Sequence, residues 1–396
     1  MAPKVLLALT LDFPGVSRLP SILSRHGFQV STFCPPQFLL PLSRFVQIRH
    51  ACSSDARAAI ESLRLHFESN IYDAVILGDD ALLEAAAQRA DEAWTHALFP
   101  IDIRRVPASV LYSKAAFFRT LEPSGLALPR TRIGRDPSDA RDAANEIGFP
   151  LIFKEERGYA GMGVQRFFDQ STLDQFLAQR TAGAPASSRP AALGAPASSR
   201  PGCPSAWLLQ SEIQGRIATA DVLFDRGLPR LWAFSYALNT RNGTFGPSTV
   251  REFAAMPDVE PILKTVGLLT GAHGFVGLDF IHEQPSGRLV LLEMNCRPTA
   301  GHALAARAGI DFGKEFAAML RGEKSSAQNP PRIRPTRVPM FPEDFDRAIT
   351  DKDWPALFKW ICVPWYWRHM PLNDPRVMLR HAGDTWRRFG KWVTRS

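Results

Sequence analysis

The chain of 396 residues has no run of about 18 apolar residues, the length a membrane-crossing helix requires, so no such helix is expected. Cysteine is scarce. The five residues at 34, 52, 203, 296 and 362 are odd in number and widely scattered, with no Cys-x-x-Cys or Cys/His spacing. That argues against a disulfide scaffold and a thiolate zinc site, and it fits reduced thiols. The apolar run Val5–Leu11 is too short for a secretory leader, and Asp12 and Pro14 follow it in place of a small-residue cleavage site. A cytoplasmic protein is expected. No Gly-x-Gly-x-x-Gly follows this first strand-like run, so a dinucleotide site is unsupported. No Ser/His/Asp or Cys/His set stands out as nucleophilic machinery.

Acidic charge is also in deficit, with 47 Lys/Arg against 39 Asp/Glu and a net charge of +8. The excess is uneven. Residues 347–396 carry ten basic and four acidic side chains, which leaves the first 346 residues near neutral. A nucleic-acid-binding stripe across the main body is therefore not expected. An apolar content of 45% gives a chain of this length an ample core, divided among two or three subdomains.

Strand-like and helix-like patterns alternate through residues 1–110, which predicts an open α/β unit with a mostly parallel sheet. Asp79 and Asp80 are placed to cap the helix that follows them. Residues 181–205 repeat Gly-Ala-Pro-Ala-Ser-Ser-Arg-Pro at 183–190 and 194–201. With nothing to bury, this insert is expected to be disordered. Trp207–Ile213, Ala218–Phe224 and Arg230–Ala237 read as three consecutive antiparallel strands. Residues 323–346 read as a linker, and 347–396 as a basic extension with six of the nine tryptophans.

The most informative segment is Gly277–Gly301. Asp279 lies on one strand-like run, Glu293 and Asn295 on the next, and a Pro-Ser-Gly turn at 285–287 joins them. Residues i and i+2 of a strand share a face, so these three oxygen-bearing side chains converge. Val290, Leu292 and Met294 are expected on the core side. With Arg297 just beyond, the set suits Mg²⁺ carrying a polyphosphate; a sheet edge with a solvated polar face would show the same pattern. Upstream, Lys154 ends a buried strand before glycines 158, 161 and 163, whose backbone is free to approach a phosphate. Lys114 opens a helix, and Gln210–Gly215 is a strand running into a turn.

In this order the motifs resemble the ATP-grasp superfamily, related in pattern to the ATP-grasp domain of the carbamoyl-phosphate synthase large subunit. The matching elements are Lys114 before Gly125 and Pro129, then Pro150 to Lys154 with the glycine loop. After them come Gln210-Ser-Glu-Ile-Gln-Gly215, and Asp279-Phe280 with Glu293-x-Asn295-x-Arg297-Pro298. The resemblance covers residues 114–322. It implies two α+β subdomains clasping ATP (111–206 and 207–322) after an N-terminal α/β domain (1–110).

It further implies that Lys114, Lys154, Gly158, Gly161 and Gly163 hold the ATP phosphates. Gln210, Ser211, Glu212 and Ile213 would line the adenine, and Asp279, Glu293 and Asn295 would bind Mg²⁺ (or Mn²⁺). Lys154 and Arg297 would be catalytic, Arg297 facing the γ-phosphate or an acyl phosphate. Departures from the pattern are Glu155, Ser211, Ile217 and Cys296.

The implied activity is a carboxylate–amine ligase releasing ADP and phosphate. A phosphotransferase, and a non-catalytic ATP-binding protein held at a membrane by its tail, remain as alternatives. Arg241 and His302 are candidates for binding a substrate carboxylate, and Arg251 is a weaker one. The expected partners are small-molecule acids and amines; a dimer is admissible. The tail's mix of Trp and Arg suits weak contact with lipid or a lipid-linked substrate, making the protein peripheral to a membrane. It equally suits a helical extension that packs its aromatics on the body.

Overall fold

Apolar residues at every position of Val5–Leu9 require a strand covered on both faces, which is the mark of a parallel sheet. The computed structural model describes residues 2–69, 71–158, 161, 163–181, 206–325 and 335–393. Its first unit runs β1 (Lys4–Ala8), α1 (Leu19–Arg25), β2 (Gln29–Cys34), β3 (Val46–Ala51), α2 (Ala56–Glu68), β4 (Ala74–Leu77) and α3 (Asp80–Ala87). The four strands are parallel, in the order β3-β2-β1-β4. Leu6 and Ala8 pack into one core, Val5, Leu7 and Leu9 into another. The proposed repeat insert lies outside the described residues apart from Thr181.

The second unit runs α4 (Lys114–Leu121), β5 (Thr131–Gly134), α5 (Pro137–Ile147), β6 (Leu151–Glu155), β7 (Val164–Phe167), α6 (Gln170–Thr181) and β8 (Trp207–Ser211). Its strands form an antiparallel sheet ordered β5-β8-β6-β7. Leu151, Phe153, Trp207 and Leu209 pack on α5 and α6 through Ala140, Ala144 and Leu173. The other face carries Lys154 opposite Leu208, and Ile152 opposite Gln210.

The third unit contains β9 (Gly215–Asp225), β10 (Leu228–Thr240), β11 (Ser248–Phe253), α7 (Val259–Thr270), β12 (Gly274–Glu283), β13 (Leu289–Asn295), α8 (Ala300–Leu304), α9 (Phe312–Leu320) and β14 (Thr336–Pro339). These make a six-stranded sheet, β13-β12-β9-β10-β11-β14.

Three sequence expectations change here. The run at 207–213 does not join β9 and β10. It is the second strand of the smaller sheet, and the chain crosses between sheets at Glu212–Gln214. Residues 336–339, expected in a linker, form the edge strand β14 against β11; an edge tolerates the proline and arginine that disguised it. In β13 Val290 and Met294 are buried as expected, but Leu289 and Leu291 are buried with them and Leu292 is only half-buried. A register shift between Asp279 and Phe280 puts an extra residue on β13 there, and a bulge switches which face each side chain takes.

The extension folds as α10 (Glu343–Thr350), α11 (Trp354–Cys362), α12 (Pro364–Trp367) and α13 (Pro375–Val393). Trp360 is 1% exposed. Its indole N–H donates to Asp344 Oδ2 at 3.0 Å, and Phe341 and Tyr366 flank its ring. Asp374 ties the extension to the first unit by accepting from Ser43 Oγ at 2.5 Å and Arg44 N at 3.1 Å. Truncation of this one buried ring should be costly. Trp360→Ala is expected to lower unfolding free energy by about 3–5 kcal/mol. Trp354→Ala, on the exposed side of the same helix, should change it by no more than about 0.5 kcal/mol. Urea unfolding of both variants checks the contrast.

Candidate active site

The cleft is built where the free face of the small sheet meets one end of the large sheet. Asp279 on β12 pairs directly with Glu293 on β13, and with Thr219 on β9. Thr219 Oγ1 donates to Asp279 Oδ1 at 2.8 Å, and Asn295 Nδ2 donates to Asp279 Oδ2 at 2.9 Å. Burial and the facing Glu293 push the Asp279 carboxyl above its ordinary range. Like charges directly opposite on neighbouring strands repel, so this pair needs positive charge.

Two lysines supply it from outside the large sheet. Lys114, in the first turn of α4, places Nζ 3.4 Å from Glu293 Oε1 and donates to the Gly158 carbonyl at 2.7 Å. Helix α4 starts there because the Ser113 hydroxyl caps it, accepting from Ala116 N. Lys154 is 9% exposed on β6. Burial pushes its ammonium down to about 8; Glu293 opposes the fall and Lys114 adds to it. The structure thus brings Lys114, Lys154, Asp279, Glu293 and Asn295 together.

The glycine loop closes one side. Gly161 has φ 74°, and a Cβ there would collide with the Phe245 carbonyl. The loop therefore meets the β10–β11 connection through bare backbone. Tyr159, Ala160 and Met162 are outside the described residues.

Of the residues expected at the adenine, only Gln210 shares the sheet face of Lys154. It is buried and donates to Thr131 Oγ1 at 2.9 Å. Ser211 Oγ accepts from Arg130 N at 3.1 Å, and the Glu212 carboxylate takes Arg166. Those two side chains are engaged elsewhere, so the backbone of 211–213 is what remains to border a base.

Arg297 leaves the end of β13 and reaches back to the first unit. Its Nε and Nη2 each donate to Asp80 at 2.8 Å, and the guanidinium lies 4.6 Å from the centre of the Phe13 ring. Asp79 caps α3 as expected, accepting from Leu82 N, but Asp80 serves as the partner of Arg297.

His302, a candidate for binding a substrate carboxylate, lies inside the protein. It is fully buried, its Nδ1 accepts from Thr299 N at 3.0 Å, and its Nε2 faces the Val222 carbonyl at 3.2 Å. Burial pushes the ring toward its neutral form. Arg241 lies 4.0 Å from Asp346 of α10, away from the carboxylates. Arg251 is better placed. Its Nη1 is 3.4 Å from both Asp221 Oδ2 and Ser235 Oγ, and its charge acts on Asp279.

Asp221 escaped the sequence reading. It is fully buried on β9, accepts from Thr299 Oγ1, and lies 3.7 Å from His302 Nδ1. A Cβ at Gly301 would strike its carboxylate. The one signal was an acid inside the apolar run Ala218–Phe224. Cys296 is buried, and burial pushes its thiol up to about 12, which favours a structural cysteine over a nucleophile.

Two carboxylates and the amide of Asn295, whose nitrogen is already donating, make an all-oxygen set that fits a hard divalent cation. Among the described residues, no three His, Cys, Asp or Glu side chains gather to hold a metal alone, so the amide is integral to the set.

A parallel α/β unit followed by a small and a large antiparallel sheet enclosing such a cleft is the ATP-grasp fold. Among known proteins, the chain is similar to the D-alanine–D-alanine ligase of Xanthomonas axonopodis pv. citri, 26% identical over 209 residues, 50% of this chain and 59% of that protein. A shorter stretch of 72 residues is 29% identical to the carbamoyl phosphate synthase large chain of Paenarthrobacter aurescens, 18% of this chain and 6% of that one. The chain thus spans less than two thirds of the curated relatives it matches. In structure it is similar to the biotin carboxylase domain of Hydrogenobacter thermophilus 2-oxoglutarate carboxylase, solved with MgADP and bicarbonate. The TM-score is 0.60 at 17% identity, over 84% of this chain and 72% of that one. No family model matches the chain.

The buried lysine leaves a pH signature. Unfolded, Lys154 returns to its ordinary 10.5, so between about pH 8 and 10.5 the unfolded chain binds a proton that the native chain lacks. Stability from this group therefore rises with pH across that window. Lys154→Met should remove the rise. The stability difference between wild type and variant should change by up to about 3 kcal/mol across the window, read from urea unfolding at successive pH values. Parallel profiles would contradict the assignment.

Proposed function

We propose that the chain is an ATP- and Mg²⁺-dependent carboxylate–amine ligase that releases ADP and phosphate. The observation that carries this reading is the convergence of Lys114 and Lys154 on the paired carboxylates Asp279 and Glu293, with the charge of buried Arg297 acting on Glu293. The curated ligase to which half the chain is similar joins D-alanine to D-alanine by its name. Asp279, Glu293 and Asn295 would hold Mg²⁺, and their oxygens admit Mn²⁺ as well. When bound, the cation supplies charge neutralisation at the transferring phosphoryl group.

The chain's own residues do the rest. Lys154, whose ammonium burial lowers only to about 8, keeps its charge at neutral pH and would hold that of the arriving polyphosphate. Lys114 sits between the carboxylate of Glu293 and the glycine loop, so it can pass from that pair to a phosphate oxygen. Arg297 uses two donors on Asp80, which leaves Nη1 for an anion such as the acid substrate or its acyl phosphate. The amine then displaces phosphate from the acyl phosphate, and exclusion of water from the cleft keeps water from doing so first. Positioning and charge complementarity account for this chemistry without a protein nucleophile. Buried Cys34 and Cys296, with no disulfide among the described residues, suit a reducing compartment such as the cytoplasm. No helix among the described residues is long and apolar enough to cross a membrane.

The test is ATP turnover against pooled amino acids and small carboxylates, with products resolved by mass. ADP, phosphate and a condensed mass are expected. ADP with a phosphorylated acceptor would instead establish the phosphotransferase. Glu293→Gln should lower turnover at least about 100-fold with an unchanged unfolding midpoint. Near-wild-type turnover in that variant would overturn the metal assignment.

A further inference from the structure

The sequence left two readings of the Trp-rich extension open, packing on the body or meeting a membrane, and the structure divides the aromatics between them. Trp360 turns inward. Trp354, Phe358 and Ile361, spaced four and three residues apart on α11, form a stripe on the opposite side. Trp365 and Trp367 of α12 continue it, and Leu379 and Trp386 stand out from α13. These seven side chains are between 41% and 76% exposed. Helices α11 and α12 are in contact, and such a concentration of large apolar side chains on them, with two more on α13, calls for a covering surface.

Two of the rings are held in their outward positions. Trp367 Nε1 donates to the Trp360 carbonyl at 3.0 Å, and the Arg368 guanidinium lies 5.1 Å from the centre of the Trp365 ring. Little order remains to be imposed when the patch is covered. Prolines 364, 371 and 375 prevent one long amphipathic helix, but three short helices present the surface instead.

Charge selects the occupant. The acids of this region are spent on contacts within the protein. Asp353 caps α11 and pairs with Arg347, Asp374 takes Ser43 and Arg44, and Asp384 pairs with Arg380 and Arg387. Arg368, directly after α12, and Arg376, in the first turn of α13, are exposed, in a segment whose net charge is +6. A second copy would set two such basic faces against each other. An anionic bilayer offers both what the rings need and what the cations need, since Trp favours the headgroup boundary.

We infer that α11, α12 and the exposed face of α13 dock this protein on the surface of an anionic lipid bilayer, lying on it without crossing. The proposal does not depend on the ligase reading, because no part of its test uses ATP.

The test is cosedimentation of the full chain with phosphatidylcholine vesicles, with and without phosphatidylglycerol, alongside tryptophan emission. Binding at least about tenfold tighter to the anionic vesicles, weakened by salt, is expected. The triple variant Trp354→Ser, Phe358→Ser, Ile361→Ser should lose about tenfold in partitioning. The charge variant Arg368→Glu, Arg376→Glu should lose a similar factor on anionic vesicles only. Both alter exposed side chains, and unchanged unfolding midpoints confirm that they fold. Absence of binding to either vesicle, binding that neither variant weakens, or a lipid-independent dimer that the triple variant dissolves would overturn the proposal.

Discussion

Two carboxylates held opposite one another on adjacent strands repel, and the arrangement of the cleft answers that repulsion. Thr219 and Asn295 hold Asp279 within the large sheet. The compensating charge comes from elsewhere, Lys114 from the first turn of α4 and Lys154 from β6. The attraction therefore acts between structural units and sets how closely they approach. Because Lys114 also donates to the Gly158 carbonyl, the start of the glycine loop is tied to the same balance. A polyphosphate entering the cleft would compete with Glu293 for Lys114 and meet the charge of Lys154, so nucleotide binding and the spacing of the two sheets are one electrostatic problem.

A second group fixes the direction in which β13 ends. Asp221, with no exposure of its own, gathers Thr299, His302 and Arg251, and it needs Gly301 to come close. Thr299 in turn caps α8. With the turn after Cys296 held this way, Arg297 points at α3 and meets Asp80. Removing one partner from a buried pair costs more than replacing both. Asp80 therefore belongs to the site even though it touches none of the metal-facing oxygens.

The ordered motifs were legible because each is local. A buried strand before a glycine turn, or carboxylates two residues apart, can be read without knowing what lies across the cleft. The α/β fold of the first unit was legible for the same reason. What was hidden depended on partners far along the chain. Asp80 meets Arg297 217 residues later, and Asp221 meets Thr299 78 residues later. The face taken by Leu291 depended on a bulge, which period-two reasoning passes over. Strand β14 was hidden by a composition that only an edge accepts. His302 read as a ligand because an isolated histidine after a metal strand gives no sign of its burial between Phe275 and Phe312.

The extension and the cleft are not independent pieces of architecture. Trp360 donates to Asp344, which also accepts from Thr249 Oγ1 at 3.2 Å, and Met340 N donates to the Thr249 carbonyl at 2.9 Å. Thr249 belongs to β11. The connection between β10 and β11 is the segment whose Phe245 carbonyl meets Gly161 of the glycine loop, and its Arg241 faces Asp346 on α10. Contiguous contacts thus run from the buried side of the tryptophan-bearing helix to the loop beside the lysines. Contact alone does not establish energetic coupling, but it does settle a structural question. The inward-facing Trp360 braces the hairpin against which the glycine loop rests. The outward-facing rings leave a large apolar surface exposed on the same helices, which is the surface proposed to meet a bilayer.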